Sequence, residues 1–164
     1  MTSVSPVPDR EAARRRHRRS AAVRRSLRDI EIQLALLNRQ VGGRLGIRDP
    51  DYACLDLISR YGPLSPSALA RRAGLHPATL TGLLDRLERA GWIARERDPT
   101  DRRAVTLRVL PGRTPEVLRL YAGMNSALDE ICAGYSDGEL ELIARFLRQV
   151  ADAGAGAAAG LAEG

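Results

Sequence analysis

Residues 65–109 read SPSALARRAGLHPATLTGLLDRLERAGWIARERDPTDRRAVTLRV. Ser65 is placed to cap a short helix, with Pro66 in its first turn and Leu69, Ala70 and Ala73 as its inner face. Gly74 ends that helix, and only Leu75 and His76 separate it from the next. The second helix starts at Pro77, closes at Gly91, and keeps Leu80, Leu83, Leu84, Leu87 and Ala90 on one face. The period then changes from helical to alternating. Ile93–Arg97 reads as one strand and Ala104–Val109 as another, with Val105, Leu107 and Val109 facing one way. Asp98-Pro99-Thr100-Asp101 forms the turn between them. Two helices joined by a sharp turn and followed by a hairpin make a winged helix-turn-helix.

Outward from this block the chain is helical. Upstream, residues 49–61 form a helix with Asp49 as its expected cap and Pro50 at its first position, stopping at Gly62-Pro63. Before that, a long helix begins after Asp9. Its apolar stripe, Leu27, Ile30, Leu34, Leu37, Val41 and Leu45, should bury against partner helices, and Gly42-Gly43 should weaken its end. Downstream, Thr114-Pro115 opens a helix striped by Val117, Tyr121, Met124, Leu128, Ile131 and Tyr135. Ser136–Glu139 is a capping box for the last helix, which carries Leu140, Ile143, Leu147 and Val150. The fold class is therefore mainly α with one β-hairpin wing, a winged helix-turn-helix plus a helical dimerisation lobe. Residues 1–26 form an Arg-rich N-terminal arm. Residues 27–48 and 113–153 form the lobe, 49–112 the winged helix, and 154–164 a flexible tail that frays.

The formal charge of the 164 residues is +6, and every basic residue is Arg. Its distribution is uneven: residues 1–28 carry +7, 29–68 carry −1, 69–108 carry +4 and 109–164 carry −4. Two basic blocks call for an anionic partner or for solvent. No run approaches eighteen apolar residues, which excludes a spanning helix. The N-terminus lacks the apolar core of a secretory signal. Two cysteines, Cys54 and Cys132, are too few for a disulfide framework and fit a reducing, cytoplasmic compartment; with two histidines at unsuited spacing they give no metal site. No cofactor motif and no Ser/His/Asp set appears, so the chain is not expected to be an enzyme.

The second helix of such a pair enters a major groove about 12 Å wide. Its outward residues here are Ala78, Thr79, Gly82, Arg86 and Arg89, while Arg71 and Arg72 lie on the preceding helix where phosphates would pass. Arg102 and Arg103 at the hairpin tip are placed for an adjacent minor groove. His76 reads as an exposed cap before it reads as a base contact. Arg10–Arg25 is read as an extra DNA contact ahead of a solvated helix, a membrane-surface helix or a transit segment. Its lack of an apolar face argues against the membrane.

The run from Gly74 to Gly112 resembles the MarR family of bacterial winged-helix transcriptional regulators. The wing phrase from Arg95 to Leu107, R-x-x-D-P-x-D-R-R-x-x-x-L, is its most specific piece. The resemblance extends in element order from about Leu27 to Val150. It implies an obligate homodimer on double-stranded DNA, with first and last helices intertwined, acting in many members as a repressor released by a small phenolic or lipophilic effector or by cysteine oxidation. By position it implies that Thr79 and Thr81 touch bases or phosphates, that Arg86 faces DNA or braces the wing, and that Asp101 pairs with a wing arginine. His76 and Gly82 depart from the family pattern on the reading face. No cysteine stands near the start of the first helix, where redox-sensing members carry theirs, so Cys54 and Cys132 read as small core residues. Tyr52, Tyr121 and Met124, with Asn38 as a polar wall, line either an effector pocket or ordinary core. The competing function is a non-specific architectural nucleic-acid-binding protein driven by the Arg-rich arm.

Overall fold

The computed structural model describes residues 10–97 and 105–162. Six helices and one hairpin follow in order: α1 (Arg10–Leu45), α2 (Asp49–Tyr61), α3 (Pro66–Ala73), α4 (Pro77–Arg89), β1 (Ile93–Arg97), β2 (Val105–Val109), α5 (Thr114–Cys132) and α6 (Asp137–Ala162). A single 3₁₀ turn, Pro111–Arg113, precedes α5.

The chain divides into two compact units at Gln40/Val41. The described part of the first unit is helix α1 from Arg10 to Gln40, and none of its side chains is buried. The helix is unbroken across residue 26, the expected limit of the arm.

The second unit holds the core. Val41, Leu45 and Ile47 join Tyr52, Cys54, Leu55 and Ile58 of α2, Leu69 and Ala70 of α3, Leu80, Leu83, Leu84 and Leu87 of α4, and Trp92, Ile93 and Leu107. The winged-helix core therefore begins before residue 49. Helix α1 runs on past Gly42-Gly43 to Leu45. Gly42 is buried because the chain folds back on it: Ile47 N–H donates to its carbonyl at 2.8 Å, and a Cβ there would stand 3.1 Å from the Ile47 oxygen. A larger residue there would press on the Ile47 carbonyl, so glycine is favoured at that spot by a close backbone approach.

Local signals set the helix-turn-helix. Ser65 Oγ accepts from Ala68 N–H at 3.2 Å, with Pro66 in the first turn. Gly74 sits at φ 62°, a left-handed conformation that costs glycine nothing, and its N–H closes α3. Helix α2 differs from expectation: Arg48, not Asp49, is its cap residue, and no side chain bonds the cap. Asp49 lies inside the first turn, where its charge favours the helix dipole.

The hairpin pairs β1 and β2 antiparallel, Ile93 opposite Val109 and Arg97 opposite Val105. Leu107 is fully buried. Leu64 adds a third edge that no sequence pattern announces, exchanging both backbone bonds with Leu107 at 3.2 and 2.7 Å. Ala90, expected on the inner face of α4, is exposed as its C-cap residue.

Helix α6 is helical to Ala162, well into the segment expected to fray. The capping box is half as expected. Ser136 N–H donates to Glu139 Oε2 at 2.9 Å, but the Ser136 hydroxyl also donates to that oxygen, at 2.6 Å, rather than accepting from an amide. These two donors hold the Glu139 carboxyl below its usual range.

Candidate nucleic-acid interface

Helix α4 docks by its leucines and exposes Ala78, Thr79, Thr81, Gly82, Arg86 and Arg89. His76 is its cap residue: Nδ1 accepts from Ala78 N–H at 3.3 Å, which leaves the far ring nitrogen on an exposed side chain. Thr81 turns its hydroxyl back onto the Pro77 carbonyl at 3.1 Å, so its proton is held within the helix. Thr79 is exposed.

Arg86 is engaged by the protein. Asp51, buried at 4% exposure, receives Nε and Nη2 of Arg86 at 2.7 Å each. The fork-to-fork geometry ties α4 to α2 and favours the charged guanidinium: the Asp51 hydrogen bonds raise the Arg86 pKa, outweighing desolvation, and the carboxylate charge adds to them. Among the described residues Arg86 pairs with Asp51 and with no residue of the hairpin.

The hairpin is instead braced by Arg95, a residue whose place at the head of the wing phrase does not itself disclose that role. Its guanidinium reaches Asp85 at 2.6 Å and Glu88 at 3.0 Å, and its N–H donates to Glu88 at 3.3 Å. Asp101, Arg102 and Arg103 lie outside the described residues. Within the strands, Arg108 pairs with Glu96 at 3.3 Å.

Arg71 and Arg72 are exposed at the end of α3. Arg72 lies 4.3 Å from the ring centre of Tyr61, a cation–π contact that steadies its stem and leaves the charge at the surface. Arg113 makes a similar contact on Trp92 at 3.7 Å, while bonding the Ala90 carbonyl and Glu116; it fastens the entry to α5 to the end of α4.

Of the residues read as a pocket, Tyr52 and Tyr121 come together, their hydroxyls sharing a 2.7 Å hydrogen bond. Burial, and then the Tyr121 hydroxyl, push the Tyr52 phenol well above its usual range. A cavity of about 110 Å³ beside Tyr52 has Leu55, Trp92, Val109 and Val117 among its apolar lining and Asp56, Ser59 and Thr114 as polar members; Tyr121 does not line it. Met124 is exposed and does not line it, and Asn38 belongs to the other compact unit. Cys54 is 1% exposed, as expected for a core thiol, whereas Cys132 is half-exposed. Burial, with the Asp51 charge second, pushes the Cys54 thiol up to about 11. Among the described residues no cluster could hold a metal, and no helix is long and apolar enough to cross a membrane.

Residues 47–105 match the pattern of the MarR family, which covers the winged helix from Ile47 into the hairpin. The HTH-type transcriptional regulator YcgE of Bacillus subtilis is 32% identical over 125 residues, which span 76% of this chain and 81% of that protein. The HTH-type transcriptional repressor YetL of the same organism is 31% identical over 84 residues, about half of each chain. Among solved structures, a MarR family protein from Bacillus stearothermophilus superposes with a TM-score of 0.63 at 26% identity, over 83% of this chain and 95% of that one. The helix-turn-helix, the hairpin and these likenesses agree: the chain belongs to the MarR family of DNA-binding transcriptional regulators.

Proposed function

We propose that the protein is a homodimeric, sequence-specific repressor that reads a pseudo-palindromic operator with two copies of α4. The observation that carries this reading is the location of its exposed apolar residues. In the first unit Ile30, Ile32, Leu34 and Leu36 of α1 are exposed; in the second, Leu118, Leu128 and Ile131 of α5 and Leu142, Phe146 and Leu147 of α6 are exposed. Between α2 and β2 only Tyr61 is an exposed large apolar residue among the described residues. A closed winged-helix core, in a chain whose expected lobe helices are bare, supports a second copy as the lobe's other half. Dimeric binding would set the two recognition helices about 34 Å apart. Repression is supported by the relative named as a repressor, YetL.

The experiment is a selection from random duplex DNA by the full-length protein, with mass measured by light scattering. A palindromic consensus bound by a dimer is the expected result. Binding of all sequences alike, with affinity governed by salt alone, would instead establish the architectural reading driven by the Arg-rich helix. Effector response is part of the proposal. The cavity beside Tyr52 is of benzene-sized order, and its aromatic wall with Asp56 and Thr114 suits a small phenol; phenols that raise the melting temperature and release DNA would support it.

A further inference from the structure

This inference rests on the reading that α4 enters the major groove. Ala78, Gly82 and Arg86 fall at successive intervals of four on one exposed face of α4. Side chains on a helix lean toward its N-terminus, so Arg86 covers the surface above residue 82. There the structure provides room. Gly82 has no positive φ, and a Cβ built on it would meet only Arg86 Nη1, at 3.8 Å. The fold therefore has no need of glycine at 82, and glycine inside a helix is unfavourable relative to alanine.

The fork of Arg86 is divided. Nε and one Nη2 proton go to the buried Asp51 carboxylate. Of five N–H donors this leaves three, two on Nη1 and one on Nη2. The end edge of the guanidinium, one proton from each of these nitrogens, points away from Asp51, and the side chain is 41% exposed. The acidic groups in this stretch of α4, Asp85 and Glu88, are taken by Arg95.

We propose that Asp51 and Gly82 set Arg86 as a guanine reader: Asp51 fixes the fork side-on, Gly82 leaves the space in which Nη1 lies, and the remaining edge donates to O6 and N7 of one guanine per half-site. Asp51 is the positioning residue. A guanine presents two acceptors in the major groove at the spacing of that edge, and no other base does. A phosphate would accept from the same edge, but it would be met at the flanks of α4 rather than on the face shared with Ala78.

The test uses the full-length protein and the site it selects from random DNA. Each guanine is replaced in turn by 7-deazaguanine, which removes the N7 acceptor alone. Wild type should lose about tenfold in affinity at one guanine per half-site. In Asp51→Asn the penalty should shrink to about twofold or less. Asp51→Asn also weakens the tie between α2 and α4, so Gly82→Leu serves as the second variant. It keeps both members of the pair and replaces glycine with a better helix former, so the melting temperature should hold or rise, yet it fills the space beside Nη1 and should abolish the guanine penalty. Absence of a penalty at every guanine overturns the proposal. So does a penalty that both variants retain, or a loss of affinity in both that is equal for all sequences, which would make Arg86 a phosphate anchor. Failure to select any sequence would remove the sequence-specific reading itself.

Discussion

Cys54 should be close to inert in the folded protein, and the structure sets by how much. Its thiol is pushed up to about 11 from an ordinary value of 9.0. At pH 7.5 the thiolate fraction is then about 100-fold lower than in an unfolded chain. A more basic thiolate is a better nucleophile, and over this shift that returns roughly tenfold or somewhat less. Ionisation alone therefore predicts labelling about tenfold slower than in the unfolded chain. Burial at 1% exposure adds the requirement that α2 open first. The neighbouring groove of about 410 Å³, lined by Cys54, Leu57, Arg72 and Leu75, brings reagent near without uncovering the thiol. The assay is alkylation by iodoacetamide in native buffer and in denaturant, with peptide mass spectrometry separating Cys54 from Cys132. Native labelling of Cys54 within about threefold of its unfolded rate would refute the reasoning, since ionisation alone forbids it. The sign for stability follows from the same shift. An acid whose folded pKa is raised is favoured in its neutral form, so its contribution is complete below about pH 9.0 and is lost as pH rises above that.

Tyr52, also shifted upward by burial and by Tyr121, should extend that alkaline loss above about pH 10, visible as a falling melting temperature. Glu139 is shifted downward, so its cap contribution is present above about pH 4.3 and lost on acidification; Glu139→Gln should flatten that part of the pH–stability curve. Leu147→Arg, on the exposed face of α6, should give a monomer by light scattering without changing the helical circular dichroism per residue. Arg95→Ala removes two partly exposed ion pairs and should cost about 1 kcal/mol in denaturant unfolding, yet lower DNA affinity more than stability if it sets the hairpin on α4. Deleting residues 1–19 should reduce affinity and its salt slope while leaving the selected sequence unchanged.

What is legible in the sequence has a local cause. Ser65, Gly74 and Gly91 announce turns because a side-chain oxygen or a left-handed φ acts within one helical turn. The stripe of α4 leucines is legible for a similar reason. Leu64 is not, because a one-residue bridge has no periodicity to detect. The Gly42-Gly43 pair reads as a weak helix end, and only the return of Ile47 over Gly42 shows what a glycine there accommodates. The two salt-bridged arrangements on α4 are hidden for a different reason. Asp51 lies 35 residues from Arg86, and nothing in the spacing says which of the many arginines a given carboxylate will take.

Those pairings change what the charge of the winged helix means. Residues 69–108 carry +4, but Arg86 is neutralised by Asp51 from outside that stretch, Arg95 faces two carboxylates, and Arg108 faces one. Arg71, Arg72, Arg89 and Arg97 carry no ion pair among the described residues. On the proposed DNA-binding reading, the attraction to phosphate falls on these four and on Arg102 and Arg103, while the face of α4 apart from Arg89 is small, partly apolar and electrostatically committed. Each phosphate neutralised contributes about −0.9 to the slope of log affinity against log salt. Flanking arginines should thus set the salt dependence, and Arg71→Gln or Arg72→Gln should lower the slope by about one unit for each phosphate left without its arginine. The guanine penalty assigned to Arg86 should persist unchanged at every salt concentration, because an interaction with a base edge releases no counterion. A penalty that fades in high salt along with overall affinity would mean that the same residues carry attraction and reading together, and the division of labour drawn from Asp51 and Arg95 would fail.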